Sequence, residues 1–321
     1  MTLVQAPPAG ATSAPAGGKP LPRWARNIRP ERPRPTGPAD VARQVCAGMV
    51  LILSACLLGF AAWLAFLSRL PYDRAQHDLY ANFRITLAKG IAPTGPTQPG
   101  APQRLLVPGT PVAILSIPAI GLRAVVLEGT TSQVLESGPG HLRDTSLPGQ
   151  PGISEIFGRR ATYGAPFARI SGLSPGTSFT VTTGQGTASY RVIQVRRAGD
   201  ANPPVYPGQG RLVLVTADGP PFAPSGVVRV DAKLVSKPFA APAMVISYSQ
   251  MSPSEFVLGT EPLAWVPLFL WGQALVLTAG ALSWLIVRWG RWRTWIVAIP
   301  ALGFLGVNVA EQVTRLLPNL L

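Results

Sequence analysis

Cysteine is nearly absent from this chain. Only Cys46 and Cys56 occur, both inside one apolar run, and none follows between residues 57 and 321. That excludes a disulfide framework, a Cys-x-x-Cys metal pair and thiol chemistry in everything beyond residue 56. Histidine is as scarce: His77 and His141 stand far apart, so no His-based metal cluster is expected, and no metal or cofactor is implied. Acidic residues are few, 14 against 28 basic ones, for a net charge of +14. The basic residues are almost all Arg, scattered and partly juxtamembrane, with no basic helix and no aromatic RNA motif, so nucleic acid is not an expected partner. Charged residues of both signs make up 13% of the chain, which points to membrane segments.

Residues 1–44 are rich in Pro, Gly and Ala and hold seven basic residues, Lys19, Arg23, Arg26, Arg29, Arg32, Arg34 and Arg43. So little apolar surface cannot offset ordering entropy, and a disordered cytoplasmic tail is predicted. Residues 45–68 form the first predicted transmembrane helix. Its 23 uncharged residues, Val45 to Leu67, reach about 35 Å at 1.5 Å per residue. The basic residues before it place the N-terminal side in the cytoplasm. No clear small-residue cleavage site follows, so an uncleaved anchor is predicted. In residues 69–110, Tyr72, Leu79, Phe83 and Leu87 recur at helical spacing, as a stalk or as a helix packed on the next domain, and a Pro/Gly-rich linker covers Ile91 to Gln103.

From residue 111 to 236 the pattern changes to short β runs divided by Gly and Pro: Val112–Ile117, Leu122–Leu127, Ile153–Phe157, Ser178–Thr183, Ser189–Arg196, Arg211–Thr216 and Val227–Leu234. Such a series predicts an all-β barrel or sandwich. Residues 237–262 read as a second linker. Two further apolar runs, 263–287 and 294–310, predict transmembrane helices two and three. Arg288, Arg291 and Arg293 between them place that connection in the cytoplasm. The β domain is then extracytoplasmic. Trp265, Trp284, Trp289, Trp292 and Trp295 lie near the predicted interfaces, and Gln273 and Asn308 are polar groups at membrane depth that suit interhelical hydrogen bonds.

Six ordered blocks stand out between about Pro111 and Val235: Ile117-Pro118, Ile120-Gly121-Leu122, Glu128-Gly129-Thr130, Gly138-Pro-Gly-His141, Leu147-Pro-Gly-Gln-Pro-Gly152 and Thr162-Tyr-Gly-Ala-Pro-Phe167, followed by the apolar run Gly210-Arg-Leu-Val-Leu-Val-Thr-Ala-Asp-Gly219. In this order they resemble the sortases, membrane-anchored cysteine transpeptidases of Gram-positive bacteria, and most nearly class E of actinobacteria. The resemblance implies an eight-stranded β-barrel with small helices in its connections. It also places the family's catalytic His on Arg159, its catalytic Cys on Ala217 and its Arg on Gly226. Transpeptidation needs a nucleophile, a proton carrier and an oxyanion donor. A methyl group cannot attack a carbonyl, and a permanently charged guanidinium cannot shuttle a proton. Arg229, three residues past Gly226, has the opposite strand parity.

The resemblance further implies a peptide groove, here lined by Arg159, Arg160, Tyr163, Thr216 and Asp218. Arg159 either holds a carboxylate or phosphate bidentately, or points to solvent or pairs with Asp218 or Glu155. The Thr216 hydroxyl should point to the other face of the strand from Ala217, Asp218 could be a base but has no activated nucleophile near it, and His141 reads as structural. The expectation is a catalytically inactive, multi-pass, sortase-fold protein of the cell membrane. It would act as an extracytoplasmic binding or assembly subunit, with membrane-protein partners through its helices and a cell-wall or sorting-signal-like peptide as a ligand. The alternatives are an active class E-like transpeptidase with a non-standard site, and an accessory subunit of a membrane transporter.

Overall fold

The computed structural model describes residues 37–321 apart from Met244, and of Ala65, Pro102, Gln103 and Arg291 only the backbone. The tail predicted over residues 1–44 therefore lies outside the described residues as far as residue 36. The chain divides into Met1–Arg43 and Gln44–Leu321. Of the first unit, residues 38–43 are already helical, against the expected disordered tail, and Arg43 sits 3.8 Å from Asp40 one turn back.

Helix α1 (Pro38–Ala62) starts with Pro at a position that needs no N–H. Trp63–Leu67 then widens to a π-helical turn, and α2 (Arg69–Ala88) follows. The predicted amphipathic stripe of α2 packs on the β domain rather than standing free. Phe83 is buried with Ile114, Val125, Leu127 and Val134. The amide of Gln76 also mimics a strand edge: its Nε2 donates to Ser137 O (2.7 Å) and Val125 O (3.2 Å), and its Oε1 accepts from Val125 N (2.7 Å). The region read as a linker contains a small hairpin, β1 (Thr97–Gln98) and β2 (Ala101–Leu105).

Eight strands close the barrel: β3 (Pro111–Ile117), β4 (Leu122–Glu128), β5 (Gly140–His141), β6 (Gly152–Phe157), β7 (Ser178–Thr183), β8 (Gly186–Arg196), β9 (Gly210–Asp218) and β10 (Gly226–Leu234). Their order around the barrel is β10-β8-β7-β3-β4-β5-β6-β9. The β4–β5 and β6–β9 pairs are parallel and the rest antiparallel. A short helix, α3 (Ser132–Ser137), capped by the Thr131 hydroxyl, links β4 to β5. β7 alternates exposed and buried residues as a one-sided strand must. β9 does not: eight of its nine residues are buried. Leu212 and Leu214 face the barrel core beside Val228, Val230 and Phe179. Val213, Val215 and Ala217 face outward into a second apolar cluster with Phe157, Ile246, Met251 and Leu320. The outer face of β9 is thus roofed by later chain. Residues 237–262, expected as a linker, supply part of that roof, with Ile246, Met251 and Phe256 beside the short 3-10 turns Tyr248–Gln250 and Pro253–Glu255.

Helices α4 (Trp265–Trp289) and α5 (Arg291–Leu316) form a hairpin turning at Gly290 (φ 90°). With α1 they make, among the described residues, three helices long and apolar enough to cross a membrane. A Cβ on Gly48 of α1 would stand 2.9 Å from Ser283 Oγ of α4, the close approach that small residues permit between apolar helices. Asn308 does not bridge helices. Its Nδ2 donates to Phe304 O one turn back. Helix α5 outruns the predicted 294–310, and its extra turns bring Glu311–Arg315 onto the barrel.

Candidate functional site

The parallel β6–β9 pair brings the two key positions together. Phe157 pairs with Val215, so the chain leaves β6 at Gly158 beside the last residues of β9. Gly158 N donates to Val215 O (3.0 Å), and the Thr216 hydroxyl donates back to Gly158 O (2.8 Å). Thr216 is thereby committed to the backbone on the barrel's inner side, away from any groove. Ala217 presents only a methyl group to the outer apolar cluster.

Arg159 is neither solvent-facing nor paired with Asp218 or Glu155. It turns inward and is 1% exposed. Its Nη2 donates to Ser132 O (2.9 Å) and Ser132 Oγ (2.7 Å), and its Nη1 donates to Thr162 Oγ1 (3.2 Å). Glu136 Oε1 lies 3.8 Å away, and the guanidinium carbon sits 4.8 Å from the centre of the Tyr163 ring. Burial pulls the guanidinium below its ordinary pKa, opposed by the Glu136 carboxylate. Burial likewise raises Glu136, opposed by Arg159 and Arg315. The Tyr163 hydroxyl is pushed up to about 12 by burial and then by the Glu136 charge. The third guanidinium nitrogen, Arg159 Nε, is buried without a hydrogen-bond partner. Of the expected pairings, Asp218 takes two other cations: Arg197 at 2.9 Å and Arg160 at 4.0 Å. Arg160 also donates to Ala217 O (3.0 Å), tying the turn to the end of β9.

The turn is strained. Tyr163, Gly164 and Ala165 are consecutive left-handed residues, with φ of 48°, 73° and 45°. For the two that carry a Cβ this costs about 1–3 kcal/mol each. Gly164 has a further reason to lack a side chain, since a Cβ there would fall 2.4 Å from the Tyr72 ring of α2. Neighbours hold the strained turn in place. Ser68 Oγ accepts from Tyr163 N (3.1 Å), Trp63 stacks edge-on against Tyr163 (5.9 Å), and Arg159 O accepts from Phe167 N (3.1 Å).

The register also moves Arg229. Ala217 pairs with Val227, and Val215 with Arg229, while Gly226 pairs with Asp218. Directly opposed residues share a face, so Arg229 lies on the Ala217 face, one side-chain repeat further along. Its charge acts on Glu155, whose carboxyl is raised by burial and partly drawn back by Arg229. Counting from Gly226 alone concealed this. His141 lies elsewhere, fully buried against Glu128 (Nδ1 to Oε2 2.9 Å) and Ser146 O (3.0 Å).

This closed barrel, with β6 and β9 parallel and their ends adjoining, is the sortase fold. Residues 115–235 match the sortase domain family model. A curated relative, Sortase D of Bacillus subtilis, is 30% identical to this chain over 88 residues, which are 27% of this chain and 43% of that protein. The chain thus spans less than half the length of that relative. Among solved structures, a Clostridium perfringens Sortase D5 transpeptidase aligns with TM-score 0.42 and 20% identity, covering 51% of this chain and 99% of that one. Sortase C-1 of Actinomyces oris aligns with TM-score 0.36 and 28% identity, over 39% and 75%.

Proposed function

We propose that this is a membrane-anchored sortase-fold protein without transpeptidase activity, serving as an extracytoplasmic binding or assembly subunit of class E type. One observation carries the reading. The turn after β6 and the end of β9 lie together as a sortase site requires, yet they bring together a buried arginine and a methyl group. Arg159 spends its donors on Ser132 and Thr162, and no cysteine lies beyond residue 56. Neither a thiolate nor an imidazole stands beside the end of β9, and the Asp218 carboxylate there is paired with Arg197 and Arg160. Three long apolar helices, one more hairpin than a single anchor needs, support partners within the bilayer.

The test is incubation of the detergent-solubilised full chain with a sorting-signal peptide and an amine acceptor, read by mass spectrometry. Neither cleavage nor transfer is expected, for the native chain or for Ala217→Cys. Turnover by the native chain would overturn the reading. The orientation is tested separately by single cysteines in a Cys46→Ser, Cys56→Ser background. Asp200→Cys should react with an impermeant maleimide on intact cells and Gly290→Cys should not; the reverse pattern would invert the topology.

A further inference from the structure

The cleft at the end of β9 is occupied, and the occupant is this chain. After α5 ends at Leu316, residues Pro318–Leu321 run into the space bounded by the Gly158–Thr162 turn, the Thr130 loop and the Phe256–Gly259 turn. Leu320 is wholly buried in the apolar cluster of Leu135, Phe157, Val215 and Ala217. Its carbonyl accepts from Arg160 N (3.0 Å), and the Leu321 carbonyl accepts from the Thr162 hydroxyl (2.7 Å). Asn319 is fully buried as well. Its Nδ2 donates to Thr130 O (2.8 Å) and Phe256 O (2.9 Å), and its backbone N–H to Gly259 O (3.0 Å).

This is how an extended peptide is read: backbone groups fix its path, one amide side chain is matched to carbonyls, and one aliphatic side chain fills a pocket. We propose that the cleft is a peptide-binding site for an Asn-aliphatic sequence, closed in this structure by residues Pro318–Leu321 bound in cis. The proposal rests on reading the barrel as a binding unit. The segment is continuous with α5, so a movement of the outer end of that helix off the barrel would draw it out of the cleft. Its local effective concentration keeps a peptide in trans out until then.

The probe is a fluorescent, end-capped peptide of residues 317–321, followed by anisotropy with the full chain in detergent. The native chain should not bind it. A variant lacking residues 318–321 should, and Asn→Ala in the peptide should weaken binding tenfold or more. Equal binding by both chains, or no binding by a folded deletion variant, overturns the proposal. Should the deletion variant fail to fold, Leu320→Asp in the full chain replaces it, read by hydrogen exchange. The Arg160 amide should lose protection while β3 and β7 amides keep theirs, and unchanged Arg160 protection overturns the proposal. Turnover of a sorting-signal peptide would sink the inactive reading and leave these outcomes unaffected.

Discussion

Arg159→Ala should destabilise the barrel by about 3–5 kcal/mol, the usual consequence of removing one partner from a buried charge pair. The loss is large against a typical total of about 5–15 kcal/mol. The substitution removes the donors that reach the Ser132 carbonyl and hydroxyl oxygens and leaves Glu136 without its main counter-charge. Denaturant melts of the solubilised protein, followed by tryptophan fluorescence, would measure it; a midpoint within error of the native one would show that the cluster contributes nothing. The same geometry bears on restoring the family's residues. An imidazole at position 159 is shorter than a guanidinium and cannot supply the same donors to Ser132 and Thr162. Returning His, Cys and Arg to positions 159, 217 and 226 should therefore lower stability before it yields turnover, and the cleft would still hold Leu320.

Glu128→Ala is expected to cost a similar about 3–5 kcal/mol, for the same reason. Both ring nitrogens of His141 face acceptors, Glu128 Oε2 and Ser146 O, so both must carry a proton. Thr145 does not change this, since its hydroxyl proton goes to Leu142 O. Burial pushes the His141 pKa down, but the Glu128 charge, the two hydrogen bonds and Asp144 together raise it above the ordinary value. A raised folded pKa stabilises fully below the unfolded value of about 6.5 and is lost as pH rises through the folded value. As pH rises above about 6.5 the melting temperature of the native protein should fall relative to that of His141→Gln. Parallel curves would mean that the ring is neutral in the fold.

Much of the barrel was legible in the sequence because apolar alternation and turn residues mark strands one at a time. Ser178–Thr183 was read to the residue, and the runs at Arg211–Thr216 and Val227–Leu234 fell short only at their ends. The strand β5 was missed because two residues carry no period; Gly140 and His141 were visible only as part of a motif. The approach of Arg159 to Ala217 was legible through the resemblance, but the direction of the Arg159 side chain was not. Apart from Thr162, its partners lie on α3, as far as 27 positions back, and nothing local announces them. The occupied cleft has the same cause at greater range: Thr162 and Leu321 are 159 positions apart. One signal did exist. Leu212, Val213, Leu214 and Val215 are apolar without alternation, which in an antiparallel barrel open to water would expose two of them. A strand buried on both faces demands a cover, and Ile246, Met251 and Leu320 provide it.

The turn from Arg159 to Tyr163 receives chain from two directions. Ser68, just past the π-helical turn that follows α1, holds the amide of Tyr163, and Leu320 and Leu321, just past α5, hold Arg160 and Thr162. A domain hung from one helix by a Pro/Gly tether would swivel like a buoy on a line. This one is riveted at a single turn by the ends of two helices, so its orientation is set by theirs. A rotation of α5 against α1 would be felt there as shear on a stretch of backbone already held in left-handed strain, which makes Tyr163–Ala165 the place where a movement among the helices is converted into a movement of the barrel wall.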